Sequence, residues 1–294
     1  MPLLVLHLPK RDHASMSQLE GRVALVTGSS RGIGRAVALK LSSAGARVVV
    51  NGTDTAAVKE TIASVEAGGG VAVSCVGDIT QDGFPQRFVD TAVEAFGGVD
   101  IVVNNAGFAW DSVIQKMSDQ QWHRVLDVHL GAPFRILRAA QPVISAAAKG
   151  EIRDHGIARC RKVVNVSALA GVTGNAGQIN YAAAKAGLAG LTRTLCKEWG
   201  RYNVTVNTVA FGLVVTRASR PMDHADNKVP TMDAAGKPLP TGVNPELLAT
   251  LRANIPLGRM GTVEEAAGAV YLFCSPESDY ISGETVNCGG GLLI

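Results

Sequence analysis

Several things are scarce in this chain of 294 residues, and each scarcity closes off a class of protein. Cysteine occurs five times, at 75, 160, 196, 274 and 288, an odd number without a C-x-x-C spacing. Buried reduced thiols are expected from that pattern, rather than a disulfide framework or a zinc site. Aromatic residues make up only 5%. No apolar run approaches the roughly 18 residues that a membrane-crossing helix needs, so no membrane partner is expected. Charge of one sign is also missing. The 28 Lys and Arg against 25 Asp and Glu leave a net charge of +3 without a block of like charges, which gives no footprint for nucleic acid. The opening MPLLVLHLPKRDH is apolar over too few residues, with its basic residues on the wrong side, to read as a secretory signal. The expectation is a soluble cytoplasmic protein.

What is present points the other way. Apolar residues reach 47%, enough for a packed core, and glycine is in excess at 33 residues. Short Val- and Ile-rich runs at Arg22 to Thr27, Ala46 to Asn51, Val71 to Val76, Asp100 to Asn104, Lys162 to Ser167, Thr205 to Val209 and Glu284 to Asn287 read as strands. Helical patterns lie between them, at Gly34 to Ala44, Asp54 to Glu66, Phe84 to Phe96, Asp119 to Ala147, Tyr181 to Tyr202 and Val263 to Phe273. Strands that lack strict polar alternation suit a parallel sheet buried on both faces. The predicted architecture is α/β, a doubly wound Rossmann-like sheet with helices on both faces, in a single domain. Residues 1–18 form an extension, and 19–294 the domain. Two insertions break the rhythm. Lys149 to Lys162 reads as a solvated basic loop, with docking of an acidic acyl carrier as the alternative. Arg217 to Pro245 carries five prolines and reads as a substrate lid. His224 between Asp223 and Asp226 lacks a metal-ligand spacing, so no metal is expected.

Chemistry concentrates at two places. The first strand runs into Thr27-Gly28-Ser29-Ser30-Arg31-Gly32-Ile33-Gly34 and then a helix, the context in which backbone N–H groups and a helix N-terminus cradle a pyrophosphate. An ordinary tight strand-to-helix turn is the other reading. The second strand ends Asn51-Gly52-Thr53-Asp54, without an acid until Asp54, while Arg31 sits in the glycine turn. That favours NADP(H), with NAD(H) kept open by Asp54. The second place is Tyr181-Ala182-Ala183-Ala184-Lys185, a spacing that puts both side chains on one helix face. An ammonium close to a phenol is expected to lower the phenol pKa toward working pH, so that it exchanges a proton with an alcohol or ketone oxygen.

Taken with Asp78-Ile79, Asn104-Asn105-Ala106-Gly107, Asn207 and Ser282-Gly283, these motifs resemble the short-chain dehydrogenase/reductase family, most of all its 3-oxoacyl-acyl-carrier-protein reductase branch. The resemblance runs from about Leu19 to Leu292. It implies a homo-oligomer, a tetramer or dimer, and a small-molecule or acyl-thioester substrate. By it, Gly28, Ser30, Arg31, Gly32, Ile33 and Gly34 hold the pyrophosphate, Asp78 and Ile79 contact adenine, and Asn105, Ala106 and Gly107 line the cofactor. Lys185 and Tyr181 meet the nicotinamide ribose, Gly212, Val214 and Thr216 flank the carboxamide, and Thr53 serves a 2′-phosphate. The catalytic set becomes Tyr181, Lys185 and His129.

Three departures stand out. Relatives carry Ser thirteen residues before the tyrosine, as a donor to the substrate oxygen, and here that residue is Ala168. Ser167 is adjacent, yet neighbours on a strand point to opposite sides. Relatives carry Asn where this chain has His129, which either preserves a proton relay to Lys185 or is a satisfied helix histidine. Phe211 replaces a usual Pro. Three functions follow: an NADP(H)-dependent reductase of a ketone, with a 3-oxoacyl thioester preferred; an NAD-dependent dehydrogenase of a secondary alcohol or hydroxyacyl thioester; or a cofactor-binding subunit with weak catalysis.

Overall fold

The computed structural model describes residues 18–216, 231–232, 238–239 and 245–292. Among them, the predicted strands are all present: β1 (Val23–Val26), β2 (Arg47–Gly52), β3 (Val71–Val76), β4 (Ile101–Asn104), β5 (Arg161–Ala168), β6 (Val204–Phe211) and, at the far end, β9 (Thr285–Cys288). They form one seven-stranded sheet in the order β3-β2-β1-β4-β5-β6-β9, and every pair is parallel. β1 therefore pairs with β2 on one side and β4 on the other, and the order reverses there, which opens a crevice beyond the strand ends.

Helices cover both faces, as the continuous apolar strands require. Along β1, Leu25 faces a core made with Phe84, Phe88, Ile136, Ile144 and Trp199, while Ala24 and Val26 face the opposite core with Val37, Leu41, Val270 and Phe273. α3 (Phe84–Phe96), α5 (Ala132–His155) and α7 (Ile179–Trp199) thus pack on one side, and α1 (Gly32–Ser43) and α9 (Val263–Cys274) on the other. α2 (Thr55–Ala67) flanks β2 and β3. Phe88 is fully buried, with its ring 5.7 Å from that of Phe84. Phe88→Ala should cost about 3–5 kcal/mol, read as a lower urea midpoint at unchanged slope.

Two boundaries differ from the sequence reading. The first half of the supposed basic loop is helix, since α5 continues to His155 and ends at Gly156 with a positive φ of 79°. Its last two residues are not solvated. Arg161 opens β5 at 4% exposure, with Nη2 2.8 Å from Glu151, and Lys162 is equally buried and lies 2.8 Å from Asp279. Paired carboxylates on neighbouring elements, invisible in the linear sequence, draw both cations inward. The second difference is α8 (Pro245–Ala253), where Pro245 starts a helix rather than closing a loop. Within the expected lid, the short strands β7 (Thr231–Met232) and β8 (Pro238–Leu239) pair antiparallel, and its other residues before Pro245 lie outside the described ones, as does His224. Of the extension, residues 1–17 also lie outside, while Gln18 donates to Glu277 and belongs with the domain.

Candidate active site

The glycine turn is built around close backbone approach. Gly28 has φ +63°, and a Cβ there would lie 2.7 Å from the Ala106 Cα. At Gly34, an added Cβ would meet the Gly28 carbonyl oxygen at 2.2 Å and Asn105 Nδ2 at 2.4 Å. Asn105 Nδ2 donates to the Thr27 and Gly28 carbonyls at 2.9 and 3.2 Å, and Thr27 Oγ1 accepts from the Asn105 and Ala106 amides. The loop after β4 is thereby stapled to the loop after β1. No side chain caps α1, whereas α2 is capped by Asp54, and α9 and the helix α4 (Asp119–Leu126) carry capping boxes. A helix N-terminus left uncapped beside backbone that only glycine allows is the cradle a pyrophosphate fits.

Asp54 has a structural task. Its Oδ1 accepts from the Ala56 and Ala57 amides at 2.9 and 3.2 Å, and its other oxygen pairs with Arg31. Those bonds, the Ala57 amide foremost, hold its carboxyl below the usual range. The residue before Thr53 is Gly52, where a Cβ would meet Ser30 Oγ at 2.4 Å. An acidic side chain at the end of β2 has no room there. Further along the crevice, Asp78 accepts from Thr80 and pairs with Arg124 at 2.5 Å, beside the buried Ile79.

Tyr181 lies in the first turn of α7, and Lys185 one turn on, with Nζ 5.6 Å from the centre of the phenol ring. Asn180, fully buried, fixes the turn: Nδ2 donates to the Trp110 and Gln121 carbonyls, and Oδ1 accepts from the Tyr181 amide. Lys185 Nζ donates to the Val166 carbonyl at 2.6 Å. Burial pulls the Lys185 ammonium down to about 7 and pushes the Tyr181 phenol up to about 12, with Asp111 adding to the second. The expectation of a phenol lowered by its lysine is corrected. Desolvation favours the neutral form of each. The Tyr181 phenol is thereby held protonated.

His129 falls in a π-helical turn, Asp127–Gly131, between α4 and α5, where the Ala132 amide reaches back to Asp127. Pro133 contributes, because it has no N–H to offer the His129 carbonyl four residues earlier. Ser167 faces away from catalysis: its hydroxyl donates to the Lys185 carbonyl at 2.9 Å and is buried. Ala168 ends β5 opposite Phe211, without a hydroxyl of its own. Gly212 packs on Gly289, and Val214 bridges to Gly261, which brings the chain to Thr216 at the limit of the described stretch.

Sequence reading passed over Asn51, Asn180 and Asp111. Asn51 accepts from the Gly28 amide at 3.0 Å and donates to the Cys75 and Gly77 carbonyls, so one side chain ties the glycine turn to β2 and β3. Asp111 accepts from Gln178 at 2.7 Å across the mouth of the site. A polar residue ending a Val-rich strand was the available signal for Asn51. Nothing local marks the other two.

Fold and site together define an oxidoreductase of the doubly wound α/β class, with a glycine turn that fits a nucleotide and a Tyr–Lys pair one helical turn apart. The short chain dehydrogenase family model matches residues 22–227, and a model described as enoyl-(acyl carrier protein) reductase matches 234–293. The chain belongs to the short-chain dehydrogenase/reductase family. It is 34% identical to the 3-oxoacyl-acyl-carrier-protein reductase FabG of Vibrio cholerae, over 94% of this chain and 99% of that one. It is 38% identical to the short-chain reductase protein NovJ of Streptomyces niveus, over 92% and 93%. Among solved structures, a provisionally assigned gluconate dehydrogenase of Agrobacterium tumefaciens superposes with a TM-score of 0.77 at 32% identity, covering 95% of this chain and 98% of that one. A nicotinamide cofactor follows from this membership.

Proposed function

We propose that this enzyme reduces a ketone, carried as a 3-oxoacyl thioester, to a secondary alcohol with NADPH. The observation that carries the reading is the pairing of a half-buried Tyr181 with the buried Lys185 one helical turn on, the phenol held protonated, the state a reductase needs when its substrate carbonyl is to gain a proton. When bound, the dihydronicotinamide supplies the hydride that the carbonyl carbon accepts. Tyr181 Oη donates its proton to the carbonyl oxygen, and Lys185, one helical turn away, stands next in line to replace it. Gly28 and Gly34, with the α1 amides, would hold the pyrophosphate, and Lys185 the nicotinamide ribose.

The preference for NADPH rests on the end of β2. The acid that would select NAD has no space at Gly52, Asp54 caps α2, and Arg31, which would exchange its pairing with Asp54 for the phosphate, lies with Thr53 at the position a 2′-phosphate would take. Fluorescence titration should show NADPH binding at least about tenfold tighter than NADH, and Arg31→Ala should weaken NADPH by about tenfold while sparing NADH. Equal or tighter NADH binding would instead favour the NAD-dependent dehydrogenase.

Ala168 supports a second reading, a cofactor-binding subunit with weak catalysis, because the Ser167 hydroxyl is already spent on Lys185. Self-association into a dimer or tetramer is proposed as well. Leu272 and Tyr280 are exposed near the edge strand β9, which itself leaves Val286 at 43% exposure. Light scattering of the purified protein would read the assembly directly.

A further inference from the structure

We infer that His129 is a positioning residue: its imidazole is wedged between the loop after β4 and the Tyr181 ring, and sets the position of one by the other. The inference rests on the proposed reductase chemistry of Tyr181. Three contacts make the wedge. The Nδ1–Cε1 edge lies against Gly107, so closely that a Cβ on that glycine would be 2.0 Å from Cε1 and 2.6 Å from Nδ1. Nε2 lies 2.7 Å from the Phe108 carbonyl oxygen and 3.2 Å from the Phe108 amide. The ring meets that of Tyr181 edge-on, with centroids 5.0 Å apart and planes at 82°.

Two Phe108 groups meet Nε2: the carbonyl oxygen at 2.7 Å needs a proton from the ring, and the amide, which donates at 3.2 Å, needs a lone pair; the shorter contact assigns the proton to Nε2. Nδ1 is then a bare acceptor, and it is buried without a hydrogen-bond partner. Protonating it would place a second cation beside Lys185 in a side chain only 2% exposed, and both effects hold its pKa well below the ordinary histidine value. Of the carboxylates nearby, Asp127 on the same turn is paired with Arg135 at 2.6 Å, and Asp111 on the loop after β4 is held by Gln178. Asp127 is thus neutralised by Arg135, and Asp111, whose charge is felt at Tyr181, makes no hydrogen bond to the imidazole, whose Nδ1 has no partner. The residue therefore does not shuttle a proton by changing charge; it transmits position from Gly107 and Phe108, which line the nucleotide, to the acid that must meet the ketone. The π-helical turn is the device that points it there.

Two measurements test this. In ¹⁵N-histidine NMR of the free protein, the His129 ring should show one protonated nitrogen, Nε2, with shifts that do not move between about pH 5.5 and 8.5. An imidazole that titrates in this range overturns the inference. In steady-state kinetics with acetoacetyl thioester, His129→Ala should lower kcat by about 10²-fold, the cost of misplacing the acid, while KM for NADPH changes less than about threefold. His129→Phe keeps the ring and its edge contact and should recover at least about tenfold of that loss. Wild-type kcat in His129→Ala, or no recovery in His129→Phe at wild-type thermal stability, would overturn it. The NMR measurement needs no substrate, so failure of the wild type to reduce the thioester would count against the proposed activity alone.

Discussion

Tyr181→Phe should lower kcat for ketone reduction by about 10²- to 10⁴-fold while NADPH affinity stays within a few-fold of wild type. The substitution removes only the hydroxyl. The ring remains against His129, the Asn180 side chain still accepts from the Tyr181 backbone amide, and Lys185 still donates to Val166. What is lost is the proton that the carbonyl oxygen must receive. The pH dependence of the wild type follows from the two shifted groups. With the Tyr181 phenol raised to about 12, the acid stays protonated across the usual assay range and adds no break there. With the Lys185 ammonium lowered to about 7, the group that resupplies the proton is charged below that pH and neutral above it. The kcat/KM for reduction should therefore fall as pH rises through about 7. A profile flat from pH 6 to 9 would remove Lys185 from the proton path.

Ala168→Ser is expected to act in the opposite direction, raising kcat by about 10²- to 10³-fold, the value of one donor on a developing oxyanion, about 2.7–4 kcal/mol. The geometry gives the reason for expecting a gain. β5 runs in register with β6 to its last residue, so Ala168 is held by Phe211 as firmly as its neighbours are by theirs, and a hydroxyl there would be presented on a fixed backbone. Ser167 cannot stand in, since strand alternation turns it toward α7 and its hydrogen bond to Lys185 is buried. If the substitution adds nothing and wild type already turns over quickly, a different group supplies the missing donor, and the reading of a weakly catalytic subunit fails with it.

Much of this was legible in the linear chain. Seven Val- and Ile-rich runs announced the sheet, because strands buried on both faces have no polar alternation to obscure them. The glycine turn and the Tyr181–Lys185 spacing were readable since each is a local motif whose parts lie within one turn. The errors have a common origin in partners distant along the chain. Arg161 and Lys162 looked like surface cations until Glu151 and Asp279 were found beside them. Asp54, which kept NAD(H) open in the linear chain, caps α2 with one oxygen and pairs with Arg31 through the other.

The sequence by itself determined the fold class and located the glycine turn and the Tyr181–Lys185 pair, all of which depend on periodicity and short spacings. Only the tertiary structure decided the surroundings of that pair and the means by which it is held. Desolvation is a property of everything that surrounds a group, so the upward shift of Tyr181, the downward shift of Lys185 and the neutral wedge of His129 arise from residues up to dozens of positions away.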